Sequence, residues 1–90
     1  MLTKAAQSTV GQAFTLVYTV TSALSQETGL HLYGIRIAKL IGGQTVEAED
    51  TGPVSASKAD VTAICRTLAA HLVTPISLLC VVDQIFNMIF

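Results

Sequence analysis

The chain is short of charge. Of its 90 residues only 12% are Asp, Glu, Lys or Arg, and the formal net charge is -1. An average domain carries about 25% charged residues, so no strong field draws this chain to nucleic acid or to an anionic membrane. It has no Trp, 2 Pro and 2 Cys. Cys65 and Cys80 form no C-x-x-C unit and are too few for a disulfide-dense secreted scaffold. Two reduced thiols in a cytoplasmic protein are expected, Cys65 buried on a helix and Cys80 on a polar helix face. No apolar run reaches the ~18 residues of a transmembrane helix. The longest, from Ile76, is broken by Asp83, Gln84 and Asn87, so an integral membrane protein is not expected. A secretory leader after Lys4 is also not expected, because Thr15, Thr19 and Thr21 interrupt the apolar segment and no A-x-A site follows.

The signatures of chemistry are missing too. There is no G-x-S-x-G, no glycine-rich phosphate loop and no paired-carboxylate motif. The only histidines are His31 and His71. A metal would need His71 to converge with Cys65 or Cys80 and Asp83, and no pair shows the i, i+4 spacing of ligands on one helix. His71 is more simply a cation near a helix C-terminus. Glu47, Glu49 and Asp50 read as the solvated face of a strand. The expectation is therefore a protein that is not an enzyme, with no cofactor and no metal. The 5 basic residues, Lys4, Arg36, Lys39, Lys58 and Arg66, are scattered, whereas phosphate binding takes a clustered footprint. A membrane-surface helix would want basic residues on its polar face, and the C-terminal segment has none.

What the chain does have is apolar content: 51% hydrophobic residues and a mean hydropathy of +0.61. A chain this short leaves much of its surface exposed, so part of that content is expected to face a partner. The hydrophobic period changes near Pro53. Residues 1–12 are small and mixed and read as a loose lead-in; residues 13–90 read as a single domain. From Ala13 to Leu24, Phe14, Leu16, Tyr18 and Val20 alternate with Thr15, Val17, Thr19 and Thr21, which is strand patterning. Ser25 to Gly29 is turn chemistry, and Leu30 to Ile41 is a second strand. Gly42-Gly43 is a two-residue hairpin signal, since a type I′ turn needs positive φ twice. Gln44 to Asp50 is a third strand.

These signals predict pairings. Ser25 opposite Leu30 keeps Phe14, Leu16, Tyr18 and Val20 on the face of Ile35 and Ile37. The Gly-Gly turn predicts Ile37 opposite Ala48 under the helices. It also predicts Arg36 opposite Glu49 on the solvent face.

Downstream the period is helical. Ser57 with Asp60 resembles a capping box. A helix to about Leu72 would bury Val61, Ile64, Cys65, Leu68 and Leu72. Thr74-Pro75 is a second helix start, and the helix it opens runs to near Met88. Its polar stripe is narrow: Ser77, Cys80, Asp83, Gln84 and Asn87. The rest is large and apolar, and such a helix is expected to be covered on more than one side. Leu78, Val81, Val82, Ile85, Ile89 and Phe90 are the candidate interface. The fold expected is α+β: a three-stranded antiparallel meander followed by a two-helix hairpin packed on one face.

The segment Tyr33-Gly34-Ile35-Arg36-Ile37 and the acidic Val46-Glu47-Ala48-Glu49-Asp50 carry a family resemblance. So do the helix after Ser57, the Thr74-Pro75 start and Val81-Val82-Asp83-Gln84-Ile85-Phe86. Together they resemble a small uncharacterised bacterial family of unknown function, of the kind common in clostridia-like genomes. The chain departs from that pattern in a less charged second helix and a Thr-rich first strand. The resemblance implies no activity, cofactor or catalytic residue. The functional expectation is a small protein-interaction or regulatory module that self-associates, as a homo-oligomer or with a protein partner; the alternative is a small nucleic-acid-binding regulator.

Overall fold

Alternation in the first half and helical spacing in the second produce one sheet and two helices. The computed structural model describes residues 2–7 and 11–89, with side chains for 2–6 and 11–84. Four strands, β1 (Leu2–Gln7), β2 (Ala13–Leu24), β3 (His31–Ile41) and β4 (Gln44–Asp50), precede helix α1 (Lys58–Ala70). A 3₁₀ turn (Pro75–Ser77) leads into helix α2 (Leu78–Ile89). The strands form an antiparallel sheet in the order β1-β2-β3-β4. The fold is thus α+β, with α1 across β1, β2 and β3 and the 3₁₀ turn and α2 against β4.

The sheet has four strands rather than three. Leu2–Gln7, expected as part of a loose lead-in, pairs with β2 from Leu2 opposite Tyr18 to Gln7 opposite Ala13. Its alanines and Lys4 have weak strand preference, so the segment carries little local signal. It is a strand because it satisfies the free edge of β2 and adds Leu2 to the core.

The β2–β3 register follows the expected logic. Leu24 pairs with His31, Val20 with Ile35 and Tyr18 with Ile37. The Ser25 N–H donates to the Leu30 carbonyl at 2.8 Å. Leu16, Tyr18, Ile35 and Ile37 are fully buried. They meet Val61, Ile64, Cys65, Leu68 and Ala69 of α1, with Leu78 and Val82 of α2.

The β3–β4 register departs from expectation. Ile41 opposes Gln44 and Leu40 opposes Thr45, as the Gly-Gly turn requires, but the next pair is Lys39 with Glu47. The pairing shifts at this β-bulge and leaves Val46 without a partner. Beyond it every pair moves by one: Arg36 opposes Asp50, not Glu49, and Ile37 opposes Glu49, not Ala48. Glu47 and Glu49 therefore turn to the helix side at the sheet edge, while Ala48 joins the opposite face with Arg36. After Asp50 the chain stays beside β3. Thr51 N–H donates to the Ile35 carbonyl at 2.9 Å, and Tyr33 N–H donates to the Ser55 carbonyl at 2.7 Å.

Ser57 caps α1, its hydroxyl accepting from the Asp60 N–H at 3.3 Å. The helix stops at Ala70, short of Leu72. Leu72 has φ 51 and is 43% exposed, so it lies outside the core that the helical period assigned it to. The left-handed residue turns the chain back, and the Val73 N–H donates to the Leu68 carbonyl at 3.0 Å. Ala69 takes the inward place instead. The Tyr18 hydroxyl donates to the Val73 carbonyl at 2.9 Å and fastens this connection to the sheet. Thr74 makes no side-chain cap bond, and the predicted second helix begins as a 3₁₀ turn with Pro75 at its start.

Candidate functional site

The sheet carries two faces of different character. One lies under the helices. The other is set by the register as rows that cross the strands. One row is Ala5, Thr15, Leu40 and Thr45; the next is Thr3, Val17, Ala38 and Ala48. A third holds Thr19, Arg36 and Asp50, and a fourth Thr21 and Gly34. At the fourth row the Gly52 carbonyl closes onto Gly34, where a Cβ would collide with it. Among the described residues no element lies over the first three rows. A solvated sheet face is ordinarily polar and charged; this one is Thr, Ala, Val and Leu with a single adjacent pair of opposite charges. Val17, Ala38 and Leu40 are half-buried only by their own neighbours.

The helix-side surface is different. Leu78 and Val82, two of the predicted interface residues, are 0% and 5% exposed and belong to the core of the chain itself. Val81 is half-buried against that core. The side chains of Ile85 and Ile89, and Phe90 as a whole, lie outside the described residues. Among the described residues of this region, Ile76 at 81%, Leu79 at 51% and Val54 at 37% are exposed apolar side chains. The helical period did not single out Ile76 and Leu79, because α2 has almost no polar side from which to orient it. A groove of about 300 Å³ runs between α2 and the segment leaving β4, lined by Thr51, Val54, Leu79, Val82 and Asp83.

The groups with chemical potential do not converge. Cys65 is buried and Cys80 exposed, both as free thiols. Burial raises the Cys65 thiol above its usual range and pushes the Tyr18 phenol up to about 12. Both therefore stay protonated and poorly nucleophilic at neutral pH. His31 starts β3 and His71 caps α1, both exposed. Among the described residues no three His, Cys, Asp or Glu side chains stand close enough to hold a metal ion, and no helix is long and apolar enough to cross a membrane. The basic residues stay scattered: Arg36 on the outer face, Lys4 and Lys39 on the helix side of the sheet, Lys58 and Arg66 on α1. The Lys39 ammonium lies 4.6 Å from the centroid of the Phe14 ring.

Residues 1–88 match the model of a family of unknown function, DUF6514. That span takes in β1 as well as the strands and helices that follow. No curated protein and no solved structure matches the chain.

Proposed function

The chain belongs to the DUF6514 family, and from that premise we propose that it is a small, non-enzymatic protein-interaction module that self-associates through the uncovered face of its sheet. The observation that carries this reading is the composition of that face. Four strands ~4.8 Å apart and the three uncovered rows ~6.8 Å apart span about 400 Å² per copy, so a face-to-face pair would bury about 800 Å², the size of a weak, transient association. Small side chains let two sheets approach to about 10 Å. Arg36 and Asp50 oppose each other in the register, opposite charges that a covered face would have to draw into an ion pair. Two free thiols are compatible with the reducing cytoplasm.

Sedimentation velocity across the micromolar range tests the proposal. The parent is expected to form a dimer, and Val17→Glu or Ala38→Glu to give a monomer with an unchanged circular dichroism spectrum. A parent that stays monomeric would sink the reading. A dimer that survives both substitutions would also overturn the assignment to the sheet face and direct attention to Ile76 and Leu79. If Val17→Glu unfolds, Ala38→Glu, in the same row, decides.

A further inference from the structure

We propose that the free stretch of the β2 edge, from Val20 to Leu24, takes up the C-terminal segment of a partner protein as an added strand, its last side chain apolar and its terminal carboxylate on Arg66. β1 covers β2 only as far as the pair Leu2–Tyr18, whereas β3 pairs with β2 out to Leu24. From Val20 onward, one side of β2 has no strand beside it among the described residues. Its outward N–H and C=O groups make no bond there, which is the template that an added strand uses. The pairing of this stretch with β3 is unbroken, and it holds no proline. The outer edge of β4 is a poorer host, because the bulge at Val46 interrupts it.

A cavity of about 120 Å³ lies where β1 ends. Leu2, Tyr18 and Val20 line it from the sheet, and Thr62, Cys65 and Arg66 from α1. The three helix residues are spaced i, i+3 and i+4 and share one side of α1. Arg66 is exposed, and among the described residues it forms no ion pair. The direction of the vacant lane selects the occupant. A strand antiparallel to β2 and in line with β1 runs from Leu24 toward Val20, so its C-terminal end arrives at the cavity. It must end there, because Leu2 and the rest of β1 fill the lane beyond. Its residue opposite Val20 shares the face of Val20. That face is the helix side, since Val20 pairs with Ile35, which is fully buried there. One apolar side chain thus enters the cavity, and one carboxylate meets one guanidinium. The site is separate from the outer sheet face, so the proposal does not depend on self-association.

The test uses the full chain and the peptide Thr-Ser-Thr-Thr-Ser-Leu, with fluorescein on its N-terminus and a free C-terminal carboxylate. Extended, it reaches about 20 Å, enough to run from Leu24 to Val20. The controls are its C-terminal amide, a version ending in Asp, and two versions N-methylated at alternate residues. Fluorescence anisotropy should show saturable one-to-one binding of the free-acid Leu peptide. The amide, the Asp version and one of the two N-methylated versions should each bind about tenfold more weakly or worse. Arg66→Gln should reduce the free-acid peptide to the level of its amide and leave the amide unchanged. Bound peptide should slow hydrogen exchange at outward amides between Val20 and Leu24, and not along Leu2–Gln7. Val17→Glu, on the outer face, should leave binding unchanged. No binding, equal binding of the amide, indifference to both N-methylation patterns, or protection along β1 in place of β2 would overturn the assignment. So would N-acetyl-leucine binding as tightly as the peptide, since a small acid needs no strand. Because Arg66 is exposed, Arg66→Gln is expected to keep the parent's circular dichroism spectrum. If it loses it, the free acid against the amide on the parent chain decides.

Discussion

Tyr18 holds the sheet to the α1–α2 connection with one hydroxyl, and Cys65 lies in the same core. Burial favours the neutral form of both groups, so the folded chain keeps protons that the unfolded chain sheds. Their contribution to stability is complete below about pH 9 and is lost as pH rises, beginning above the usual thiol value of 9.0 and continuing for Tyr18 from 10.0 to about 12. Urea midpoints measured between neutral and strongly alkaline pH should therefore fall with rising pH. Tyr18→Phe should flatten the upper part of that fall while costing about 1–2 kcal/mol at neutral pH, since the Val73 carbonyl loses its donor. Leu72 offers the opposite case. It occupies left-handed backbone at φ 51 with its side chain 43% exposed. Glycine removes the Cβ conflict there, so Leu72→Gly should leave stability unchanged or raise it by up to about 1 kcal/mol, read as an upward shift in Tm. A substantial loss would mean that the Leu72 side chain contributes packing that outweighs its backbone strain.

At the scale of elements, β4 owes its chemistry to one residue. The Gly-Gly turn sets the first two pairs, and Val46 then resets the rest. Without the bulge Ala48 would share the face of Ile37, under the helices, and the acidic residues would face water on the far side. With it, Ala38 and Ala48 oppose each other on the outer face. Directly opposed residues of an antiparallel pair lie within the reach of a disulfide. In a background lacking Cys65 and Cys80, the pair Ala38→Cys and Ala48→Cys should cross-link under mild oxidation, and Ala38→Cys with Glu49→Cys should not. Intact-mass spectrometry after alkylation reads both. The reverse result would restore the uninterrupted hairpin register and return Glu49 to the outer face.

For the whole molecule, low charge and a half-covered sheet point in one direction. A two-layer chain buries one face of its sheet and leaves the other to water or to a second molecule. Association through Thr, Ala, Val and Leu rests on apolar burial, which salt does not screen. The dimer dissociation constant should therefore change less than about threefold between ~0.05 and ~1 M NaCl, whereas contacts to phosphates would weaken by orders of magnitude over that range. Sedimentation equilibrium at the two salt concentrations checks this. A steep loss of association at high salt would make exposed ion pairs, not the sheet face, the basis of the contact.

The sequence by itself determined the parts that repeat locally. Alternation placed β2, β3 and β4. The Ser25–Gly29 loop and the shared face of Leu16, Tyr18, Ile35 and Ile37 fixed the β2–β3 pairing, because a slip of one residue would expose that whole set. The spacing of Val61, Ile64, Cys65 and Leu68 identified the inward side of α1, and the Ser57 cap marked its start. Only the tertiary structure decided the rest. β1 is a strand because a free edge lay beside it, a condition that no property of Leu-Thr-Lys-Ala-Ala-Gln announces. The bulge at Val46 trades one unpaired residue for a different distribution of side chains across the edge, and hairpin rules carry no term for it. Leu72 fits the helical period but lies past the turn that ends the helix, so Ala69 fills the place beneath it. On α2 the period could not tell Leu78 from Leu79, since apolar residues surround most of the helix. Which of them became core and which surface was set by where β4 and the 3₁₀ turn meet it.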